Sequence, residues 1–323
     1  MSLIRRVDAF QQRHAVLGFP IGVLYKFFDD YGTYLAALVT YYAFVSIFPL
    51  LLLASTVLSI VLQGHPHLQQ ELIDSALSEF PVIGDQLKTP QRLSGSWAAI
   101  LVGVIVALYG ALGAAQAIQY VSNQVWQVPR NNRPNPFVAR GKSILIILIM
   151  GIGVFGVSLA NVILSRWTFL GEHSGLIADA AALPVIVASI AFIFQLSASS
   201  RVRPWDVLPG AILATIALRV LQGFGASYVS GVVAKSSSVD GVFAIVLGLL
   251  AFVYLVAMSL ILAMELNVVW RKRLYPRALL TPFSDNVELT RADRAMYAGR
   301  ARAQRYKGFE EITVDFEREP DQK

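Results

Sequence analysis

The sequence has no cysteine and little charge. Without cysteine it has no disulfide, no thiolate metal site and no cysteine nucleophile, and the redox compartment stays undetermined. Only 15% of its 323 residues are charged, whereas a soluble domain carries about 25%. Apolar residues make up 55% of the chain, and the mean hydropathy is +0.57. These values exclude an ordinary soluble protein and indicate an integral membrane protein.

Motifs of the common enzyme classes are also absent. The chain lacks a phosphate-binding G-x-x-x-x-G-K-[ST] loop, an H-E-x-x-H zinc motif and a G-x-S-x-G nucleophile turn. Its four histidines, His14, His65, His67 and His173, are scattered and have no cluster of carboxylates beside them. We therefore expect no catalytic activity, no bound metal and no cofactor.

Six long apolar segments predict transmembrane helices. Each has about 20 residues or more, which is enough for a hydrocarbon core of about 30 Å. They lie near residues 34–62, 97–121, 144–164, 180–199, 208–229 and 242–262. The first segment is longer than a span needs, and Pro49 is expected to bend it because proline lacks a backbone donor. The predicted fold is an all-α integral membrane protein with six transmembrane helices and amphipathic surface helices.

The distribution of lysine and arginine predicts the orientation. Of the 27 basic residues, 22 fall on one side of the predicted spans, 4 on the other, and Arg219 lies inside a span. The positive-inside rule then places both termini in the cytoplasm. We predict a cytoplasmic amphipathic segment over residues 1–30, a six-span domain over 31–270, and a cytoplasmic tail over 271–323. The tail is basic, then acidic, and is expected to be partly disordered.

The basic part of the tail, residues 291–307, predicts contact with membrane lipids. Lysine and arginine near a membrane surface attract anionic headgroups. A basic run also suits RNA, but no RNA-binding motif accompanies this one, so we expect no specific nucleic acid partner. The sequence leaves the oligomeric state open, a homo-oligomer included.

The stretch DDYGTYLAALVTYYAFVSIFPLLLL, which begins at residue 29, places acids and tyrosines at the mouth of the first span. Asp29 and Asp30 are candidates for a cytoplasmic entrance. Tyr41, Tyr42 and Ser46 lie deeper and are candidates for a polar path through the membrane. The alternative for these hydroxyls is hydrogen bonding between helices, which contributes about 0.6 kcal/mol each.

Polar residues also occur in the last two predicted spans. Arg219 lies halfway along the fifth span, where a charge costs about 2.5–3.5 kcal/mol to insert, and Gln222 shares its face. Glu265 and Asn267 lie at the cytoplasmic end of the sixth. Depth counting places Glu265 within about two helical turns of Arg219, so the two are candidates for a pair that is direct or bridged by water. The alternatives are a structural ion pair or snorkelling for Arg219, and an interfacial carboxylate for Glu265.

Three stretches resemble the YihY/BrkB family of bacterial inner-membrane proteins. They are the tyrosine-rich segment above, RPWDVLPGAILATIAL, and the block that ends FVYLVAMSLILAMELNVVW. The positions that match the family pattern are Tyr41, Tyr42, Ser46, Pro49, Pro209, Gly210, Tyr228, Glu265 and Asn267. The resemblance implies a six-span protein of the bacterial cytoplasmic membrane. It also implies an unsettled function, because the family has carried the label ribonuclease BN, generally regarded as a misassignment, and has been proposed to transport lipids or solutes.

Three functions follow as hypotheses. The leading one is a transporter or lipid flippase-like protein that moves an anionic lipid or solute. In it Arg219 contacts the anionic group, and Glu265 pairs with Arg219 or carries protons. The alternative is a structural or scaffold protein that organises partners through its tail, and a membrane-associated ribonuclease is the least favoured.

Overall fold

The computed structural model of the chain describes residues 2–61, 67–68, 70–72, 97–165, 174–231, 238–283 and 287–316. Over these ranges the protein is helical and contains no strand, as the all-α prediction requires. The helices described there are α1 Ser2–Arg13, α2 Ala15–Asp29, α3 Gly32–Val61, α4 Trp97–Val125, α5 Pro136–Ser165, α6 Ser174–Ser197, α7 Pro204–Gly231, α8 Ser238–Lys272 and α9 Arg291–Ala303. Most of the connection between the first two predicted spans, residues 63–96, lies outside the described residues.

Helices α4 to α8 are long and apolar enough to cross a membrane. In the described part of the chain the candidate spans are Leu101–Val125, Pro136–Ile163, Ala180–Ser197, Pro204–Ser227 and Phe243–Lys272. They match five of the six predicted spans. The first predicted span corresponds to α3, whose described apolar stretch, Gly32–Ile47, is shorter. Pro49 lies inside α3. The count of six spans and the bend at Pro49 stay predictions.

Helices α3 to α8 close into a ring. Each packs against the next helix along the chain, and α8 returns to pack against α3. Successive helices run antiparallel, so one end of the ring collects the start of α3, the end of α4, the start of α7 and the end of α8. Helix α2 packs against α8 and α3 at this same end. We call it the basic end, because most of the lysines and arginines of the connections lie there.

Helix α2 belongs to the bundle as well as to the N-terminal segment predicted over residues 1–30. Its Val23, Lys26 and Phe27 are buried, and the apolar two belong to the same core as residues of α3, α4 and α8. Helix α1 matches the predicted amphipathic surface helix better, because its Val7 and Phe10 are about half exposed.

Glycines allow close packing between two pairs of helices, α3 with α4 and α7 with α8. A methyl group added at Gly110 of α4 would lie 2.7 Å from Ser46, and one at Gly113 would lie 2.2 Å from the ring of Tyr42, both on α3. On α7, a methyl group at Gly210 would lie 2.2 Å from the carbonyl oxygen of Ala263 on α8. These glycines therefore let backbones approach closely, as small residues do between membrane helices.

Asn267 of α8 explains why a proline is tolerated inside α7. The fifth span was predicted from residue 208, but α7 begins at Pro204 and Pro209 lies within it. A proline inside a helix disturbs the hydrogen bonds of the preceding turn. Asn267 supplies partners there, since its Oδ1 accepts from the Gly210 N–H at 2.7 Å and its Nδ2 donates to the Val207 carbonyl at 3.2 Å. The role of Asn267 in this structure is to join two helices.

The Gly210 contact predicts that substitution by alanine destabilises the protein much more at this glycine of α7 than at another. Gly210→Ala is expected to destabilise the protein by about 1–3 kcal/mol, because the new methyl group meets rigid backbone. Gly223→Ala is the matched control, since a methyl group there meets nothing within 4 Å. Thermal unfolding of both variants in detergent checks the prediction, and equal midpoints would contradict it.

Candidate functional site

A buried cluster of three charged side chains lies at the basic end. Lys26 is on the last turn of α2, Asp30 follows that helix, and Glu265 is on α8. The Lys26 Nζ lies 2.6 Å from Asp30 Oδ2 and 2.7 Å from Glu265 Oε2. The side chains of Lys26, Asp30 and Glu265 are 0%, 1% and 0% exposed. We refer to these three residues as the buried charge cluster.

All three donors of the Lys26 ammonium are used. Besides the two carboxylates, Nζ donates to the Val125 carbonyl oxygen at 2.8 Å. Val125 is the last residue of α4, so this carbonyl has no partner within its own helix and carries the negative end of the helix dipole. Burial by itself lowers the pKa of Lys26, but Asp30 and Glu265 outweigh it and the pKa is raised. The lysine therefore stays charged and joins α2, α4 and α8.

The two carboxylates of the cluster are not fully satisfied. Asp30 Oδ1 and Glu265 Oε1 are buried and have no hydrogen-bond partner among the described residues. Lys272, at the end of α8, is near the cluster, but its Nζ donates to the Trp126 carbonyl at 2.9 Å and to Gln127 Oε1 at 3.2 Å. An ionised carboxylate oxygen buried without a donor costs free energy, so these two oxygens are the unusual feature of the site.

A cleft of about 300 Å³ opens beside the cluster. Asp30 lines it together with residues from α4 and from the start of α3 and the turn before it: Tyr31, Tyr34, Leu35, Tyr120 and Gln124. Asp30 forms the buried floor, and the three tyrosines are exposed. We call this space the tyrosine cleft.

Two arginines contact tyrosines that line the tyrosine cleft. The guanidinium of Arg300, on α9, lies 4.9 Å from the ring centre of Tyr31. That of Arg133 lies 5.7 Å from the ring centre of Tyr120, and its Nε donates to the Val128 carbonyl at 3.2 Å. Cations are held over aromatic faces by the ring quadrupole. Two of the tyrosines that line the cleft therefore each hold a cation against their rings.

A second group of charges ties the tail to the bundle. Arg277 is buried and donates from Nη2 to Asp29 Oδ2 at 3.0 Å and from Nε to Asp293 Oδ1. Asp293 Oδ2 also accepts from the backbone N–H of Ala278 at 3.1 Å and of Thr290 at 2.9 Å. We call Arg277, Asp29 and Asp293 the tail clamp. Asp29 therefore contacts the tail, whereas Asp30 contacts the cleft and the buried charge cluster.

The tail over 287–316 packs against the end of the bundle. Helix α9 begins with a capping box in which Thr290 and Asp293 exchange hydrogen bonds. Its Met296 is fully buried and its sulfur and carbonyl oxygen accept from Gln127 Nε2 at 2.9 and 3.3 Å. The basic residues of this helix therefore belong to a folded element. Contact of the tail with anionic lipid stays a prediction.

The tyrosines and the serine of the predicted path differ in their surroundings. Tyr41 is 58% exposed. Tyr42 is half-buried against Gly113, and its ring centre lies 6.2 Å from that of Tyr109. Ser46 is buried and its hydroxyl donates to the Ala43 carbonyl in its own helix at 2.9 Å. Tyr42 and Ser46 therefore pack α3 against α4.

Arg219 and Glu265 lie about two helical turns apart along the axis, as depth counting predicted. The Gly210–Asn267 hydrogen bond aligns α7 and α8, so Arg219, nine residues beyond Gly210, lies level with Met258, nine before Asn267. Glu265 is then seven residues away, about 10 Å along the axis at 1.5 Å per residue. Arg219 Nη1 donates to Gln222 Oε1 at 3.1 Å, as their shared face suggested. The salt-bridge partner of Glu265 is Lys26, which sequence reasoning had counted only as a basic residue near the membrane.

The ring of apolar helices and its charged interior define a multi-pass helical membrane protein. The Virulence factor BrkB family model matches residues 23–286, and the chain therefore belongs to the BrkB family. The matched region begins within α2 and includes the whole buried charge cluster. A curated relative, Inner membrane protein YhjD of Escherichia coli (strain K12), is 26% identical over 267 residues, which cover 76% of this chain and 79% of the relative. No solved structure matches the chain significantly.

Proposed function

We propose that this protein is a transporter that moves an anionic lipid or solute across the bacterial inner membrane. The observation that carries the proposal is the buried charge cluster at the floor of the tyrosine cleft. Glu265 of the cluster lies within the candidate span Phe243–Lys272, and an ionisable side chain inside a membrane-spanning helix is costly and marks a substrate or ion pathway. Six spans and a cytoplasmic basic end complete the proposed arrangement, in agreement with the positive-inside rule.

The charges around the cleft favour an anionic substrate. Arg133 and Arg300 lie over tyrosines that line it, and arginine suits phosphate and carboxylate groups. Deeper in the membrane, the part-buried Arg219 of α7 supplies a further positive charge. Tyrosine rings in the same cleft offer apolar surface to the rest of an amphipathic molecule. This combination suits a lipid headgroup or an organic anion.

Translocation of a headgroup-labelled anionic phospholipid in proteoliposomes tests the proposal. A membrane-impermeant quencher reports how much labelled lipid has changed leaflets. Wild type is expected to equilibrate the lipid and Arg219→Ala to lose most of that activity. Arg13→Ala is the matched control, because Arg13 is exposed on α1. Wild-type rates in folded Arg219→Ala protein would exclude the role of Arg219, and inactive, folded wild type would exclude passive lipid scrambling and leave the anionic solute.

A scaffold function is the second candidate, favoured by one observation. The tail is a folded element whose last described segment exposes Tyr306 and Phe309 at 57% and 89%. This alternative predicts that deletion of residues 291–323 abolishes activity in cells, whereas substitutions inside the bundle have little effect. The transporter proposal predicts a large effect of Arg219 and Glu265 substitutions.

A further inference from the structure

The two carboxylates of the buried charge cluster share a single ammonium. Asp30 Oδ2 and Glu265 Oε2 both bind Lys26 Nζ, so these oxygens are no further apart than the sum of their two distances to it. Each carboxylate has a second oxygen that is buried without a donor among the described residues. A buried site in which two carboxylates meet one cation stabilises one added positive charge, because like charges at close range do not both ionise easily.

A proton fits this place better than a metal ion. Lys26 already occupies the position between the carboxylates where a cation would bind, and its charge repels a second cation. A proton adds no volume and needs only one carboxylate oxygen. It also converts an orphaned acceptor into an O–H group that is able to donate to its neighbour.

Other charged groups near the cluster modify its affinity for a proton but do not bond to it. From the end of α8, Lys272 adds a positive charge while donating to the carbonyl of Trp126. Next to Asp30, Asp29 is held by Arg277 of the tail clamp. In the tail clamp, by contrast, the carboxylate of Asp293 has donors on both oxygens.

A route for the proton follows from the tyrosine cleft. Asp30 lines the cleft and is 1% exposed, whereas Glu265 is fully buried and does not line it, so a proton from the cleft meets Asp30 first. Water in the cleft is therefore able to deliver a proton to Asp30 as H3O⁺ and to leave as H2O. The same cleft carries the arginines proposed to attract an anion.

We propose that Asp30 and Glu265 together hold one exchangeable proton beside Lys26, and that its uptake is coupled to the binding of an anionic group in the tyrosine cleft. The first half stands on the cluster itself, and the second half rests on the proposed function. Protonation removes one negative charge from the floor of the cleft, so an anion binds more tightly to the protonated protein. Reciprocity requires the bound anion to favour protonation by the same factor.

Infrared spectroscopy of the purified protein in lipid nanodiscs tests the proton site without any transport. As pH is lowered toward neutrality, wild type is expected to gain the C=O stretching band of a buried carboxylic acid. The band should be lost in Asp30→Asn and Glu265→Gln, and kept in Asp206→Asn, whose carboxylate pairs with Arg271 at 3.1 Å outside the cluster. Wild type labelled with ¹³C-carboxyl aspartate or glutamate assigns the band even where a variant does not fold.

The result that overturns the proton site is the absence of such a band from folded wild type, or its survival in both cluster variants. The coupling has its own measurement, binding of a soluble short-chain phosphatidylglycerol, whose phosphodiester keeps one negative charge throughout, above and below neutral pH. Affinity is expected to rise at the lower pH by about 5- to 150-fold, and to lose this dependence in Glu265→Gln. Binding that does not change with pH overturns the coupling. A carboxylic acid band without any binding or transport overturns the proposed function and supports the proton site.

Discussion

Lys26→Met is expected to cause one of the largest losses of stability of any single substitution in this chain. It leaves Asp30 and Glu265 buried without their shared cation, and the Val125 carbonyl without its donor. Removing one partner from a buried ion pair costs about 3–5 kcal/mol. Thermal or denaturant unfolding in detergent, followed by helical circular dichroism, measures the loss.

A charge-free triple variant separates charge from packing in this result. Lys26→Met, Asp30→Asn and Glu265→Gln together leave two amides of nearly native shape that are able to bond to each other and to the Val125 carbonyl. Because replacing a whole buried charged group is often close to neutral, the triple variant should recover most of the stability lost in Lys26→Met. A Lys26→Met protein as stable as wild type would contradict the assignment of Lys26 as the shared partner.

Arg277→Ala is expected to release the tail from the bundle. Arg277 joins Asp29, beside the start of α3, to Asp293 in the first turn of α9. Its loss leaves the buried carboxylate of Asp293 without its cation, at a cost of about 3–5 kcal/mol that falls mainly on the packing of the tail. Hydrogen exchange of the α9 amides should rise strongly.

The control for this prediction lies on the same helix. Arg294 is exposed on α9, so Arg294→Ala should leave exchange in α9 close to that of wild type. Equal protection of α9 in Arg277→Ala and wild type would show that the tail is held by Met296 and Gln127 rather than by the tail clamp.

The helical fold was largely predictable because bilayer thickness sets the minimum length of an apolar segment that spans the membrane. Five candidate spans lie where apolar runs predicted them. The order of packing around the ring was not predictable, since it depends on contacts such as Gly210 with Ala263 that no periodicity reveals. The position of Pro209 inside α7 was missed for the same reason, because its compensating partner Asn267 lies on another helix.

The candidate site was predictable in part. Glu265 stood out because a carboxylate in an apolar segment needs a partner, but depth alone suggested Arg219. Lys26 was counted only toward the orientation, although its i,i+4 spacing to Asp30 and its place in the apolar run IGVLYKFF carried a signal. Asp29 and Asp30 looked equivalent in sequence. They diverge because adjacent residues at a helix end point in different directions, one toward the tail clamp and the other toward the buried charge cluster.

Transport by the charge-free triple variant is the most direct test of the central claim, which is that the buried charge cluster serves transport and not only stability. The variant is compared with wild type in proteoliposomes that hold the labelled anionic phospholipid or an anionic solute, after circular dichroism has shown that both proteins are folded. A folded variant that has lost transport is the result expected here. Transport at the wild-type rate would contradict the claim and show that Lys26, Asp30 and Glu265 only hold the helices together.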